Sequence, residues 1–306
     1  DYSCLDGFCP SFVSVRGAKR KALARRADLD AQALAAALPE PSVVESSGEP
    51  YNLLLTGVGG TGILTLSALL GMAAHIDGLD VTVLDETGIA QKNGAVSSHL
   101  RISTAGRGLY SSRIVDGQAD LLLACDSVVA AGQDILRCVS PERTRAIVNK
   151  YVLPPASFIA DNEMDLSPEP LMSHISSTIG AERVEALDYT GIATRLTGDS
   201  ICSNIFQLGF ALQRGLLPVS HRALVRAIEL NGTAVDVNLQ ALAWGRVAAV
   251  DANKIDALVA PDNTREAAPA AAGFDAFVEG RAAFLTDYQD RAYADRYLRL
   301  VKKVTE

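Results

Sequence analysis

The chain has 306 residues, 48% of them hydrophobic and 21% charged, with a formal net charge of −8. That is room for about two domains and a large core, and the acidic balance excludes a general nucleic-acid binder, since such a surface repels phosphate. No apolar run is long enough to span a bilayer, no basic-then-apolar leader opens the chain, and the 5 cysteines form no disulfide-like framework. Together these predict a soluble, cytoplasmic protein, and the start at Asp1 predicts a piece of something longer.

Residues 1–16 read as a short Cys-containing stretch belonging to a fold whose body lies elsewhere. Residues 17–38, rich in Ala, Leu and Arg, read as helix, and the Pro, Ser and Gly content of 39–50 reads as linker. The basic run from Arg16 to Arg26 is a solvated helix or linker. From Tyr51 onward, apolar strands alternate with helices. Leu53–Leu55 is a buried strand, Ile63 to His75 a helix, Val81–Leu84 a second strand ending in Asp85–Glu86, and Ala95 to Thr104 a third, alternating one. Leu121–Cys125 follows, then helix over Ser127 to Val139, and strands at Arg145–Asn149 and Val184–Asp188. This order predicts an α/β fold: an open, mostly parallel Rossmann-like sheet with helices on both faces. Helices are predicted over Ile201–Arg214, Ser220–Leu230 and Thr233–Val250, the second ended by Asn231–Gly232. Residues 251–273 read as a connector. Phe277 to Val304 then reads as one long amphipathic helix whose aromatic stripe is packing surface.

Between the first strand and its helix stands Thr56-Gly57-Val58-Gly59-Gly60-Thr61-Gly62. Gly57, Gly59 and Gly62 have the spacing of a dinucleotide loop, in which the first glycine permits the turn. The second admits a phosphate and the third lets the helix pack close. A helix N-terminus there offers free N–H groups to an anion. Asp85 and Glu86 stand where such folds place the acid that takes ribose hydroxyls. The polar loop Thr87-Gly88-Ile89-Ala90-Gln91-Lys92-Asn93-Gly94 is not what a dehydrogenase puts next, and suits a charged ligand or a partner domain. No hydrolase elbow, zinc signature or P-loop lysine is present. His75, His99, His174 and His221 are scattered surface or helix-end residues, and Cys125 and Cys202 are small core residues. Cys4 and Cys9, flanking Gly7, suit iron–sulfur or zinc ligation, with the remaining ligands outside this chain.

Gly57–Gly62, Glu86-Thr87-Gly88 with Gln91–Gly94, and Val96 to Ile102 together resemble the gamma region of 2-oxoacid:ferredoxin oxidoreductases. Lys92–Asn93 stands where that family usually has Arg–Gly. Asn204–Gly209, Gly215–Pro218 and Ala227–Gly232 followed by Asn238 are similar to its helical signature. The opening Cys4…Cys9-Pro10 and the stretch Arg281 to Tyr297 are most similar to the fused indolepyruvate:ferredoxin oxidoreductases.

The resemblance implies an enzyme dependent on thiamine diphosphate, Mg and 4Fe-4S clusters that converts an aryl 2-oxoacid and coenzyme A to acyl-CoA and CO2. Ferredoxin takes the electrons. Residues 1–16 would be the tail of the thiamine-binding domain, with Cys4 and Cys9 as cluster ligands. Residues 17–50 would be helix and linker, 51–250 the gamma domain, and 251–306 a connector and the start of a helical C-terminal domain. Partners would be the thiamine-binding and pyrimidine-binding domains and ferredoxin, within a homo-oligomer. Gly57, Gly59, Gly60, Thr61, Gly62, Glu86, Gln91, Lys92 and Asn93 would line the coenzyme A cleft, with Lys92 or Arg101 adding charge. This chain alone should be inactive, since no Gly-Asp-Gly…Asn metal–diphosphate motif occurs in it. The competing readings are an NAD-binding Rossmann dehydrogenase and a non-catalytic docking domain.

Overall fold

Capped helices and buried strands begin at Asp30, whose carboxylate accepts the amides of Gln32 and Ala33 and starts α1 (Ala31–Ala36). The computed structural model describes residues 30–44, 48–87, 94–104, 106, 108–152, 167–259 and 273–305. The elements that follow α1 are β1 (Tyr51–Val58), α2 (Ile63–Ile76), β2 (Leu79–Thr87), β3 (Ala95–Thr104) and β4 (Leu121–Ala124). Next come α3 (Ser127–Ala130), α4 (Gln133–Leu136), β5 (Arg145–Asn149), α5 (Pro168–Ile179), β6 (Val184–Leu187) and α6 (Tyr189–Thr197). The helical part is α7 (Ser203–Gln213), α8 (His221–Asn231), α9 (Val235–Val250) and α10 (Ala252–Val259). No described helix is long and apolar enough to cross a membrane.

The sheet order is β2-β3-β1-β4-β5-β6. β1, β4, β5 and β6 pair in parallel, while β3 is antiparallel to both β1 and β2. Only β3 opposes the common direction, so the sheet is mostly parallel, as expected from the alternating strands and helices. The strands are apolar on both faces because both faces are covered. Leu53, Leu55, Leu121, Leu123 and Ile147 share one core with α2, α6, α7, α8, α9 and α10. Leu54, Leu122, Ala146 and Val148 point the other way, into a core with Ile135 of α4 and Ile175 and Ile179 of α5.

α7 and α9 cross in backbone contact. A Cβ on Gly209 would run into the Leu242 carbonyl, and one on Gly245 into the Phe206 carbonyl. Tyr189 packs edge-on against Phe206 and Phe210 beside this crossing, with ring centroids 6.0 and 5.5 Å apart.

Three predicted boundaries differ. The helix expected over Ser127–Val139 is two short ones, broken at Ala131–Gly132. Part of the predicted connector, 252–259, is α10, which buries Ile255 and Val259 in the main core. The single long helix expected over Phe277–Val304 is a pair, α11 (Phe274–Tyr288) and α12 (Arg291–Thr305). Asp290 interrupts it by accepting the Tyr293 amide at 2.8 Å, the local bond by which short acids start helices. These two helices pack on each other in a compact unit of their own, which begins at Ala260; the first unit runs to Val259.

Candidate functional site

The chain leaves β1 toward β2 on one side of the sheet and returns to β4 on the other, so strand order reverses between β1 and β4. In open α/β sheets the crevice at the carboxyl ends of such a pair is where ligands bind. The glycine loop lies there.

Its glycines act differently from the expectation. Gly57 is not the turn residue: a Cβ there would strike the Ile63 side chain, so this glycine lets α2 pack onto β1. The Gly59 amide donates to the Gly94 carbonyl at 2.8 Å, tying the loop to the residue before β3. Gly60 (φ +87°) and Gly62 (φ +92°) take the left-handed backbone that favours glycine. Gly62 stands at the N-cap of α2 and has no side chain to cap it. Among the described residues, nothing accepts the amides of Gly60, Gly62, Ile63 or Leu64. A helix start with free N–H groups and no carboxylate cap favours negative charge by its dipole and its unmet donors.

Two hollows flank the loop. One, of about 350 Å³, is lined by Gly60, Thr61, Cys125, Asn149, Thr190 and Asn204 among others. The other, of about 410 Å³, is lined by Val58, Gly59, Gly62, Leu64, Thr87 and Gly94 among others. Asn204 of α7 donates from Nδ2 to the Thr61 carbonyl at 2.7 Å and holds the loop's rim. Asn149 joins the Cys125 carbonyl to Thr190 at 3.1 and 2.8 Å. Gln207, wholly buried, donates to the carbonyls of Ala124 and Ile147. The sequence marks Asn204 and Gln207 only as part of the Asn204–Gly209 signature, with no sign of these bonds, and does not mark Asn149. Each sits in a helix or strand whose partners are far along the chain. Burial raises the Cys125 thiol, and the acid of Asp126 raises it further, so it stays protonated as a core residue.

Asp85 and Glu86 do not sit where a ribose would need them. β3 intervenes between β1 and β2, placing the end of β2 about 10 Å from β1. Asp85 turns to α2 and accepts the hydroxyls of Ser67 and Ser98. Glu86 faces the opposite side of the sheet, paired with Arg113 at 2.5 Å and His99 Nε2 at 3.4 Å. Its carboxylate is thus engaged by protein groups at the end of β2. Gln91, Lys92 and Asn93, like Cys4 and Cys9, lie outside the described residues. Arg101 is also misplaced by the expectation. Because β3 runs antiparallel, Arg101 pairs with Asn52 at the far end of β1, where its guanidinium binds Asn52 and the Ser111 carbonyl. It contributes no charge to the loop.

His99 corrects another expectation, being 2% exposed rather than on the surface. Its Nδ1 accepts the Ile114 amide, so the neutral ring carries its proton on Nε2, toward Glu86. Burial lowers its pKa below the ordinary 6.5 and outweighs the opposing pull of Glu86, with Arg113 lowering it further. His221 is lowered too, by burial and then by Arg246. A depressed folded-state histidine takes up its proton less readily than the unfolded chain does. Stability is therefore full above the unfolded value near 6.5 and falls as pH drops below it. The urea midpoint is expected to decline between about pH 7.5 and 5.5, and His99→Gln to flatten part of that slope. An unchanged slope in the variant would contradict a neutral, buried His99.

A model of the family described as pyruvate ferredoxin/flavodoxin oxidoreductase matches residues 52–248. The chain is 30% identical over 207 residues to the indolepyruvate oxidoreductase subunit IorB of Methanothermobacter thermautotrophicus, covering 66% of this chain and 98% of that subunit. It is 31% identical over 206 residues to IorB of Pyrococcus horikoshii, covering 65% and 96%. The crystal structure of the pyruvate oxidoreductase subunit PORC of Thermotoga maritima is similar at 20% identity and a TM-score of 0.47, over 65% of this chain and 96% of that one. The family match takes in the whole sheet, the glycine loop and α7 to α9, and the curated relatives agree with it. The chain therefore belongs to the pyruvate ferredoxin/flavodoxin oxidoreductase family.

Proposed function

We propose that this chain is the gamma-type segment of a cytoplasmic indolepyruvate, or aryl 2-oxoacid, ferredoxin oxidoreductase, and that its glycine loop forms one wall of the coenzyme A cleft. One observation carries this reading: α2 begins without a cap at the switch point of the sheet, its free amides set between two hollows. In the overall reaction the 2-oxoacid loses CO2, its acyl carbon bonds to the sulfur of coenzyme A as the thiol releases its proton to solvent, and two electrons pass to ferredoxin. Thiamine diphosphate, Mg and the 4Fe-4S clusters supply decarboxylation and electron removal when bound. In this reading the thiamine-binding and pyrimidine-binding partners would hold thiamine diphosphate and Mg, and Cys4 and Cys9 would supply ligands to a cluster.

Within this division of labour, the amides of Gly60, Gly62, Ile63 and Leu64 hold a phosphate of coenzyme A, with Lys92 adding charge. Gly57 and Gly59 set the loop's shape, Thr61 is its rim, and Glu86 fixes the hairpin that presents Gln91, Lys92 and Asn93. The intervening β3 speaks against a nicotinamide dinucleotide, since it moves Asp85 and Glu86 a strand away from β1 and its loop.

Calorimetry on the full chain tests the assignment. Coenzyme A and 3′,5′-ADP are expected to bind, NADH not to. Asn204→Ala is expected to weaken coenzyme A about fivefold, the worth of one ordinary hydrogen bond holding the loop. Absence of binding by either phosphate ligand would leave a docking role and overturn the proposal.

A further inference from the structure

Far from the glycine loop, α9 carries a buried cation with no buried counter-ion. Arg246 is 4% exposed. Its Nε donates to Gln213 at 2.8 Å, its Nη2 to the Pro39 carbonyl at 3.5 Å, and its Nη1 lies 3.2 Å from His221 Nε2. All three partners are neutral. Among the described residues no carboxylate comes within ion-pair distance of Arg246; the nearby acid, Glu40, favours its charge only from a distance, lies 3.4 Å from His221 and has a side chain 74% exposed. A guanidinium has five N–H groups, and these contacts use three. Binding Gln213 and Pro39 alone would be done by an uncharged donor without the cost of burying a charge.

Beside the guanidinium lies a cavity of about 190 Å³ between α1, α8 and α9. Apart from Gln32 of α1 its walls are apolar, from Ala35 and Ala36 of α1, Val225 of α8, and Leu239, Leu242 and Ala243 of α9. Arg246 and His221 supply its polar end. The volume equals that of about six liquid waters, room for a ligand of roughly six to nine non-hydrogen atoms. Phosphate esters are too strongly hydrated to leave water for such walls, and a neutral hydrocarbon would leave the charge uncompensated.

We infer that this cavity binds a small monocarboxylate with an apolar body, its carboxylate paired with Arg246 and its body against Val225, Leu239 and Leu242. The site is separate from the coenzyme cleft and does not depend on that reading. A carboxylate there accepts the two free N–H groups in the forked geometry guanidinium favours.

Benzoate and its neutral counterpart benzamide, titrated into the full chain, test it. With only 4 histidines in the sequence, the ring signals are separable by NMR. Benzoate is expected to shift the His221 signals and leave those of His75, His99 and His174 in place. At ten times its dissociation constant it is expected to raise the melting midpoint by about 4 °C. Val225→Phe, which fills the cavity from its half-buried rim, is expected to abolish both effects while keeping the wild-type fold. The inference is overturned if benzamide acts as strongly as benzoate, or if formate does. It is equally overturned if benzoate has no effect up to about 10 mM, or if its effect survives Val225→Phe.

Discussion

Gly245→Ala is expected to destabilise the first unit by about 3 kcal/mol, lowering its melting midpoint by roughly 10 °C. The neighbours that forbid a Cβ are backbone atoms: the Phe206 carbonyl and, at 2.8 Å, the Phe210 amide nitrogen. A flexible side chain could swing away, but a helical carbonyl cannot move without its helix. α7 is buried from Ser203 to Leu212, so it has no solvent side to retreat into. Separating the two axes by even part of an ångström loosens Phe206, Leu208, Phe210 and Trp244 together, and dispersion contacts fall off steeply with such gaps. Intrinsic helix preference works in the opposite direction, favouring Ala over Gly by about 1 kcal/mol. Gly280 provides the control. It lies within α11 with open space where a Cβ would go, so Gly280→Ala is expected to leave stability unchanged or raise it by up to about 1 kcal/mol. Thermal or urea unfolding of the two variants separates the effects. A Gly245→Ala protein melting within a degree of the parent would mean that α7 and α9 do not meet backbone to backbone.

The parts of this fold legible in the sequence are those whose physics is local. Leu53–Leu55 and Leu121–Leu123 are apolar without alternation because both faces of the central strands are buried, and that pattern alone implies a covered parallel sheet. β3 carried an equally local sign that was read too coarsely. Val96, Leu100 and Ile102 alternate with Ser97, His99, Arg101 and Ser103, a period-two pattern typical of antiparallel strands. Reversing that one strand moves Arg101 to the wrong end of the sheet and pushes Asp85 and Glu86 a strand further from β1. Both site corrections thus follow from the place and direction of one strand.

α6 is not legible in the sequence, although Asp188 caps it and Gly198 ends it in the left-handed conformation, because its Tyr, Thr and Gly content suggests a loop. Asn204 and Gln207 lie in the Asn204–Gly209 signature, yet their bonds are illegible for another reason. Their partners lie 143 and up to 83 residues away, and a lone amide in an apolar helix reveals its role only once the sheet ends are set beside it.

Gly59→Val in the enzyme this chain helps to form is expected to raise KM for coenzyme A about 30-fold, while release of CO2 with an artificial electron acceptor stays within about twofold. The position is tight but not closed, since a Cβ on Gly59 would sit 3.4 Å from the Gly94 carbonyl oxygen. One methyl fits; the branched side chain of valine adds two more and presses on the bond from the Gly59 amide to that same oxygen, now 2.8 Å long. Displacing the loop turns the amides of Gly60, Gly62 and Ile63 away from their common focus. A hydrogen bond to a charged phosphate is worth about 1.5–3 kcal/mol, so losing the aim of one of them accounts for the factor. Gly60→Ala serves as the companion, because the space around it is open and its left-handed backbone adds strain without pushing on β3. It is expected to cost about 1 kcal/mol of stability and to change KM only a few-fold. If Gly59→Val folds normally and its dependence on coenzyme A is unaltered, the uncapped start of α2 binds no part of that ligand. The loop is then only the joint that seats a helix on its strand.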